Sequence, residues 1–93
     1  GNLPSELSFF FTNKNNIVIE TIKKAEDNDE IIVRMYESEN KQTICTFNSA
    51  FSIIKAYETN LMEEEIKEIN IKDNCIDLYF KPFEIKTISL KIK

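Results

Sequence analysis

Between residues 30 and 38 apolar side chains occupy both parities, with Ile31, Val33 and Met35 on one and Ile32, Arg34 and Tyr36 on the other. A strand that is partly apolar on both faces is expected in the interior of a sheet. Similar short runs of Ile, Val, Phe, Tyr and Thr recur along the chain, separated by clusters of Asn, Asp, Glu, Ser and Lys. That spacing predicts an antiparallel all-β domain with eight strands, at residues 8–12, 17–24, 30–38, 42–47, 51–57, 66–72, 75–81 and 83–92.

The connections read as successive hairpins. Residues 13–16 form a turn cluster, 26–29 an acidic connection and 39–41 a tight one, while Asn48-Ser49 leads into the fifth strand. Asp73-Asn74 is the strongest hairpin signal, since both residues tolerate positive φ. Beyond it Ile76, Leu78 and Phe80 share one face, and Asp77, Tyr79 and Lys81 the other. Pro82 has no N–H to donate and bends the chain into the last strand. There the apolar parity changes, with Phe83 and Ile85 odd but Ile88, Leu90 and Ile92 even, so a β-bulge is expected near Lys86-Thr87. Residues 59–69 admit two readings: Met62, Ile66 and Ile69 have helical spacing behind a Thr59 or Asn60 cap, and an extended loop fits equally. Eight short strands with one apolar face each are best buried as a two-sheet β-sandwich.

Composition agrees with a packed fold and excludes several functions. The chain has 93 residues, 42% hydrophobic and 30% charged, a size that supports one core. Its net charge of −4 and single arginine, Arg34, argue against a nucleic-acid partner, which needs clustered cations. The longest apolar runs, at residues 9–11 and 31–33, fall far short of the roughly 18–20 residues of a membrane-spanning helix, so no membrane association is expected. Cys45 and Cys75 are read as free thiols, two small hydrophobes rather than a disulfide framework. The chain has no Asn-x-Ser/Thr sequon and is rich in Ile, Lys and Asn, which points to a cytoplasmic, bacterial setting. Residue 1 is Gly rather than Met, so further sequence is expected upstream, and Lys93 is read as a true C-terminus.

No catalytic, cofactor-binding or metal-binding residue is assigned. The chain contains no histidine, which removes the commonest general base and metal ligand, and no glycine-rich phosphate loop. Two acidic runs, Glu26, Asp27, Asp29, Glu30 and Glu63, Glu64, Glu65, Glu68, are the candidates for paired carboxylates or a calcium loop. They read as solvated surface. Arg34, mid-strand beside Val33 and Met35, is expected to pair with Glu37 or Glu20, or else to reach a neighbouring domain's pocket. The phenylalanines 9, 10, 11, 47, 51, 80 and 83 are assigned mostly to the core, and Tyr36, Tyr57 and Tyr79 are candidates for a sugar-stacking platform.

Several segments, in order, carry a resemblance. They are Leu3-Pro4, Leu7-Ser8-Phe9-Phe10, the block Ile17-Val18-Ile19-Glu20-Thr21-Ile22-Lys23-Lys24-Ala25-Glu26-Asp27, then Ile32-Val33-Arg34-Met35-Tyr36-Glu37, Tyr57-Glu58-Thr59-Asn60-Leu61-Met62-Glu63 and Lys81-Pro82-Phe83-Glu84-Ile85-Lys86-Thr87-Ile88. Over nearly its whole length the chain resembles the C-terminal β-sandwich domain of glycoside hydrolase family 38 α-mannosidases. Met35 stands where that family often has Leu, an exchange a core tolerates. The resemblance implies a non-catalytic accessory domain whose partners are the remaining domains of a parent enzyme. That parent hydrolyses terminal α-mannosyl linkages with retention of configuration, using an Asp nucleophile and a zinc ion held in a catalytic domain outside this chain. Contact with α-mannosides is expected only through the parent. A different class of function, an independent carbohydrate-binding or adhesion module, is also compatible with the sandwich and its tyrosines.

Overall fold

The computed structural model describes residues 9–24, 30–60, 62 and 64–92. They form eight strands and no helix: β1 (Phe10–Thr12), β2 (Ile17–Lys24), β3 (Glu30–Glu37), β4 (Thr43–Ser49), β5 (Ile53–Thr59), β6 (Glu65–Ile69), β7 (Cys75–Phe80) and β8 (Ile85–Ile92). A three-stranded sheet, β1-β4-β7, lies on a five-stranded sheet, β2-β3-β8-β5-β6, and every pairing is antiparallel. The expected β-sandwich is therefore present, with β3 inside the larger sheet.

Alternation fills the space between the sheets. Phe10, Cys45, Phe47, Ile76, Leu78 and Phe80 of the small sheet meet Ile17, Ile22, Val33, Met35, Ile88 and Leu90 of the large one. Burying each large apolar side chain contributes about 1.5–3 kcal/mol, so this layer supplies most of the folding drive. Phe10 stacks on Phe47 with ring centroids 5.6 Å apart, a geometry that adds to the area term. Of the remaining phenylalanines, Phe51 packs against the core, whereas Phe9, Phe11 and Phe83 are exposed.

The connections differ from the expected run of hairpins. Only β2–β3 and β5–β6 join strands that pair with each other; the other five connections pass between the sheets. Asp73 and Asn74, at φ 53° and 63°, make the predicted tight turn. It closes a single bridge, Lys72 with Cys75, before the chain on its N-terminal side leaves for the large sheet.

The bulge expected at Lys86-Thr87 is absent, because β8 pairs with β3 in unbroken register from Glu30↔Lys91 to Tyr36↔Ile85. The parity change has a simpler cause. Phe83 is a turn residue at φ 58°, and Ile85 points out of the sheet, where it is exposed. The bulges lie instead in β2, between Ile19 and Thr21, in β5, between Ile53 and Lys55, and in β6, where Ile66 is the extra residue opposite Glu58 and Thr59. In β2 the extra residue, Glu20, carries the apolar set from odd positions (Ile17, Ile19) to an even one (Ile22) on the same inner face.

The described residues of the segment with two readings hold no helix: Thr59 ends β5, and Glu65–Ile69 form β6. The Asn60 Oδ1 accepts the amides of Met62 at 2.8 Å and Glu64 at 3.0 Å, and the Asn60 amide donates to the Glu64 carbonyl at 3.1 Å, which turns the chain directly into β6. Asn60 thus caps a loop as it would cap a helix. Residues 8, 25–29 and 63, on which parts of the first predicted strand and of the acidic runs fall, lie outside the described residues.

Candidate functional site

Glu37 is the last residue of β3 and continues the inward parity of Val33 and Met35, so its carboxylate is carried to the rim of the core, 1% exposed. A charge so placed must be compensated. Four donors do this, two on each oxygen. Oε2 accepts from Asn16 Nδ2 and from the Glu39 amide, both at 2.7 Å. Oε1 accepts from the Phe83 amide at 2.9 Å and the Lys41 amide at 3.0 Å.

These donors come from three connections that all cross between the sheets at one end: β1–β2 (Asn16), β3–β4 (Glu39, Lys41) and β7–β8 (Phe83). Local backbone geometry aims them. Asn40, at φ 59°, separates the Glu39 and Lys41 amides so that both point into one concavity. Phe83 is held in the same left-handed region, which costs a side chain of its type roughly 1–2 kcal/mol. Further bonds lock the cluster: Asn16 Nδ2 also donates to Thr43 Oγ1 at 2.7 Å, the Ser38 amide to the Asn16 carbonyl at 2.8 Å, and the Glu37 amide to the Glu84 carbonyl at 3.0 Å.

Burial pushes the Glu37 pKa up, but the Phe83 amide, the Asn16 side chain and the Glu39 and Lys41 amides together outweigh it and lower the pKa from 4.5 to about 2. The carboxylate is saturated with donors and permanently ionised at neutral pH. Such a group holds loops; it has no basic lone pair to offer a substrate. Beside it a shallow cleft of about 380 Å³ is lined by Glu20, Tyr36, Ser38, Phe83 and Ile85.

Arg34 takes neither expected partner. Glu37 belongs to the amide cradle, and Arg34 forms no salt bridge with Glu20; its Nε is buried without a hydrogen-bond partner. Arg34 pairs across the strands with Thr21 and Thr87, on the face of the large sheet turned away from the core. Tyr36 and Tyr57 share that outer face, aligned with Ile85 and Ser89, four positions apart along β8, while Tyr79 lies on the outer face of the small sheet opposite Ile44. The three tyrosines form no common platform.

The described members of the acidic runs do not converge either. Glu64 accepts from Asn60 Nδ2 at 2.9 Å, Glu65 and Glu68 are exposed on β6, and Glu30 receives the Ser89 hydroxyl at 2.6 Å. Among the described residues no three Asp, Glu or Cys side chains gather as a metal site would require. Lys86, on the core-facing side of β8, has Glu84 at 3.4 Å, Glu58 at 3.6 Å and its ammonium 5.7 Å from the Phe80 ring centre. It stands on the floor of a second, larger opening of about 820 Å³ between β6 and β7.

Both cysteines are free. Burial, with the nearby Asp77 charge, pushes the Cys45 thiol from 9.0 up to about 11, Lys14 opposing weakly. Cys75 is half-buried and donates its thiol to Asn48 Oδ1 at 2.9 Å. Mass-resolved alkylation of the native chain is expected to modify Cys75 at least about tenfold faster than Cys45, because the thiolate is the reactive species. Equal rates would mean that β4 does not shield Cys45.

A family model described as the glycosyl hydrolases family 38 C-terminal beta sandwich domain matches residues 16–88. The chain belongs to that family. A curated relative, Alpha-mannosidase G of Dictyostelium discoideum, is 36% identical over 86 residues, covering 86% of this chain and 8% of the relative. The chain thus spans a small fraction of the length of the relative it matches. Every member of the Glu37 cradle, from Asn16 to Glu84, falls inside the matched region of this family 38 domain.

Proposed function

We propose that this domain is a non-catalytic accessory unit of a family 38 α-mannosidase, supporting by packing a catalytic domain that lies elsewhere in the polypeptide. The observation that carries this reading is the family match over residues 16–88 together with a mannosidase relative of which the chain covers 8%. The chemistry of the chain supports it. There is no histidine, and Glu37, the most buried carboxylate among the described residues, spends both oxygens on backbone and amide donors. In this reading zinc, the nucleophile and the terminal α-mannosyl substrate belong to the parent's catalytic domain, and retention of configuration is that domain's property. Free thiols suit a reducing compartment such as the cytoplasm.

Phe11, Ile44 and Tyr79 project from the outer face of the small sheet, and apolar side chains so displayed gain by contact with another domain. The test compares the parent enzyme with a version lacking residues 1–93. Loss of the domain is expected to lower the parent's melting temperature and yield while the KM for an aryl α-mannoside stays within about twofold. The isolated domain is expected to leave that mannoside at its buffer hydrolysis rate. Hydrolysis by the domain alone, or a parent whose melting temperature ignores the deletion, overturns the proposal.

A further inference from the structure

Among the described residues the two sheets have four edge strands, and three of them carry devices that discourage pairing. β1 is three residues long. β2 is bulged at Glu20 and carries Lys23 and Lys24. β6 has Glu65, Lys67 and Glu68 among its five residues and is itself bulged at Ile66. β7 differs: it runs six residues in unbroken register with β4, with no proline and with Asp77 as its one charged residue.

The backbone direction of that edge follows from the Asp73-Asn74 turn. Cys75 exchanges both of its backbone hydrogen bonds with Lys72, at 2.9 Å each, so its N–H and C=O point away from β4. In an antiparallel strand these groups alternate sides residue by residue. The N–H and C=O of Asp77 and Tyr79 therefore point the same way, into open space, with no partner strand among the described residues.

The space they face is the opening of about 820 Å³. It exists because the hairpin splits after one bridge: Lys72 stays beside β7, whereas Ile69 already pairs with Ala56 in the large sheet. Lys67 and Ile69 form one wall, Asp77 and Tyr79 the other, and Glu58 and Lys86 the floor. Charges of both signs line it, so no strongly charged occupant is selected.

We infer that an extended, weakly charged segment from the rest of the mannosidase polypeptide lies in this slot and pairs with β7 through Asp77 and Tyr79, completing a four-stranded small sheet. Donors and acceptors repeating every second residue along a strand edge are met by another extended backbone. The relative has all but 8% of its length outside the matched segment, and a covalently attached segment acts at high effective concentration. The inference rests on the accessory-domain reading above.

Amide exchange over residues 75–81 in the 93-residue chain, compared with the same residues in the full-length enzyme, tests it. The Asp77 and Tyr79 amides are expected to exchange at least about tenfold more slowly in the full-length enzyme. Asp77→Pro deletes an edge N–H and no backbone bond to β4, losing toward that strand only the exposed bond its carboxylate accepts from Thr46 Oγ1 at 2.9 Å, and is expected to leave the chain folded while cancelling the slowing at Tyr79. Slowing elsewhere in the domain but not at Asp77 and Tyr79 overturns the slot and leaves the accessory reading standing. No difference at any amide overturns both. Slowing in the isolated chain that grows with its concentration, alongside a dimer mass, assigns the edge to a second copy and overturns the inference.

Discussion

Glu37→Ala is expected to lower the melting temperature of the domain by more than about 10 °C, because it strips a shared acceptor from four donors on three separate connections. Each donor is then left beside the core without its partner, and the left-handed Phe83 loses the bond that offsets its strain. Glu37→Gln keeps the shape but turns one acceptor into an NH2 group facing donors, so it is expected to fall between wild type and Ala. Glu68→Ala, on an exposed strand, serves as the control and should move the melting temperature by no more than about 2 °C. The same carboxylate predicts an acid limb. Its pKa is lowered on folding from 4.5 to about 2, so its stabilisation is complete above pH 4.5 and is lost as pH falls toward 2. Melting curves from pH 7 to 2 should show a decline through that window in the wild type that is shallower in Glu37→Gln. Parallel curves would show that the cradle does not hold an ionised group.

Glu37 also shows what the sequence made legible. Alternation located eight strands and the two-layer arrangement, because a period of two needs no knowledge of distant contacts. It placed Glu37 on the same parity as Val33 and Met35, which was the available sign that this acid faces inward. The sequence demands a partner for Arg34, whereas in the structure the donors gather on Glu37 and Arg34 Nε has none. An arginine on the same strand was the obvious counter-charge, yet at three residues' separation Arg34 has the opposite parity and points to the other face. The true partners are backbone amides from loops far apart in sequence, which no side-chain pattern reports. The Lys81-Pro82-Phe83-Glu84 segment and the segment ending in Glu37, two of those that carried the family resemblance, meet at this carboxylate.

The parity change in the last strand failed for a related reason. An apolar residue off the core face signals a bulge only if it is buried, and Ile85 is exposed. The same reasoning applied to Ile17, Ile19 and Ile22 would have found the bulge at Glu20. Hairpins were overcounted because turn chemistry fixes the reversal of the chain but not which sheet the next strand joins. Asp73-Asn74 reverses the chain as its residues dictate, and the strands on either side still part after one bridge.

Phe47→Ala is expected to shift the urea midpoint down by about 2–4 M, the second large effect. Phe47 is fully buried, stacks on Phe10 and pairs with Thr12 on one side and Ile76 on the other, so it touches all three strands of the small sheet. Truncating a buried Phe costs about 3–5 kcal/mol in transfer and cavity terms, against about 5–15 kcal/mol for a whole domain. With an m-value of about 1.3 kcal/mol per molar urea, toward the lower end for small proteins, such a loss moves the midpoint by about 2–4 M. Ile44 lies three residues earlier on the same strand and on its other face, 68% exposed. Ile44→Ala is expected to change stability by no more than about 0.5 kcal/mol. The contrast separates two layers from one, since a lone sheet would leave both residues equally wet. Comparable losses from the two substitutions would mean that the outer face of the small sheet is as buried as the inner one, and that β4 is sandwiched on both sides.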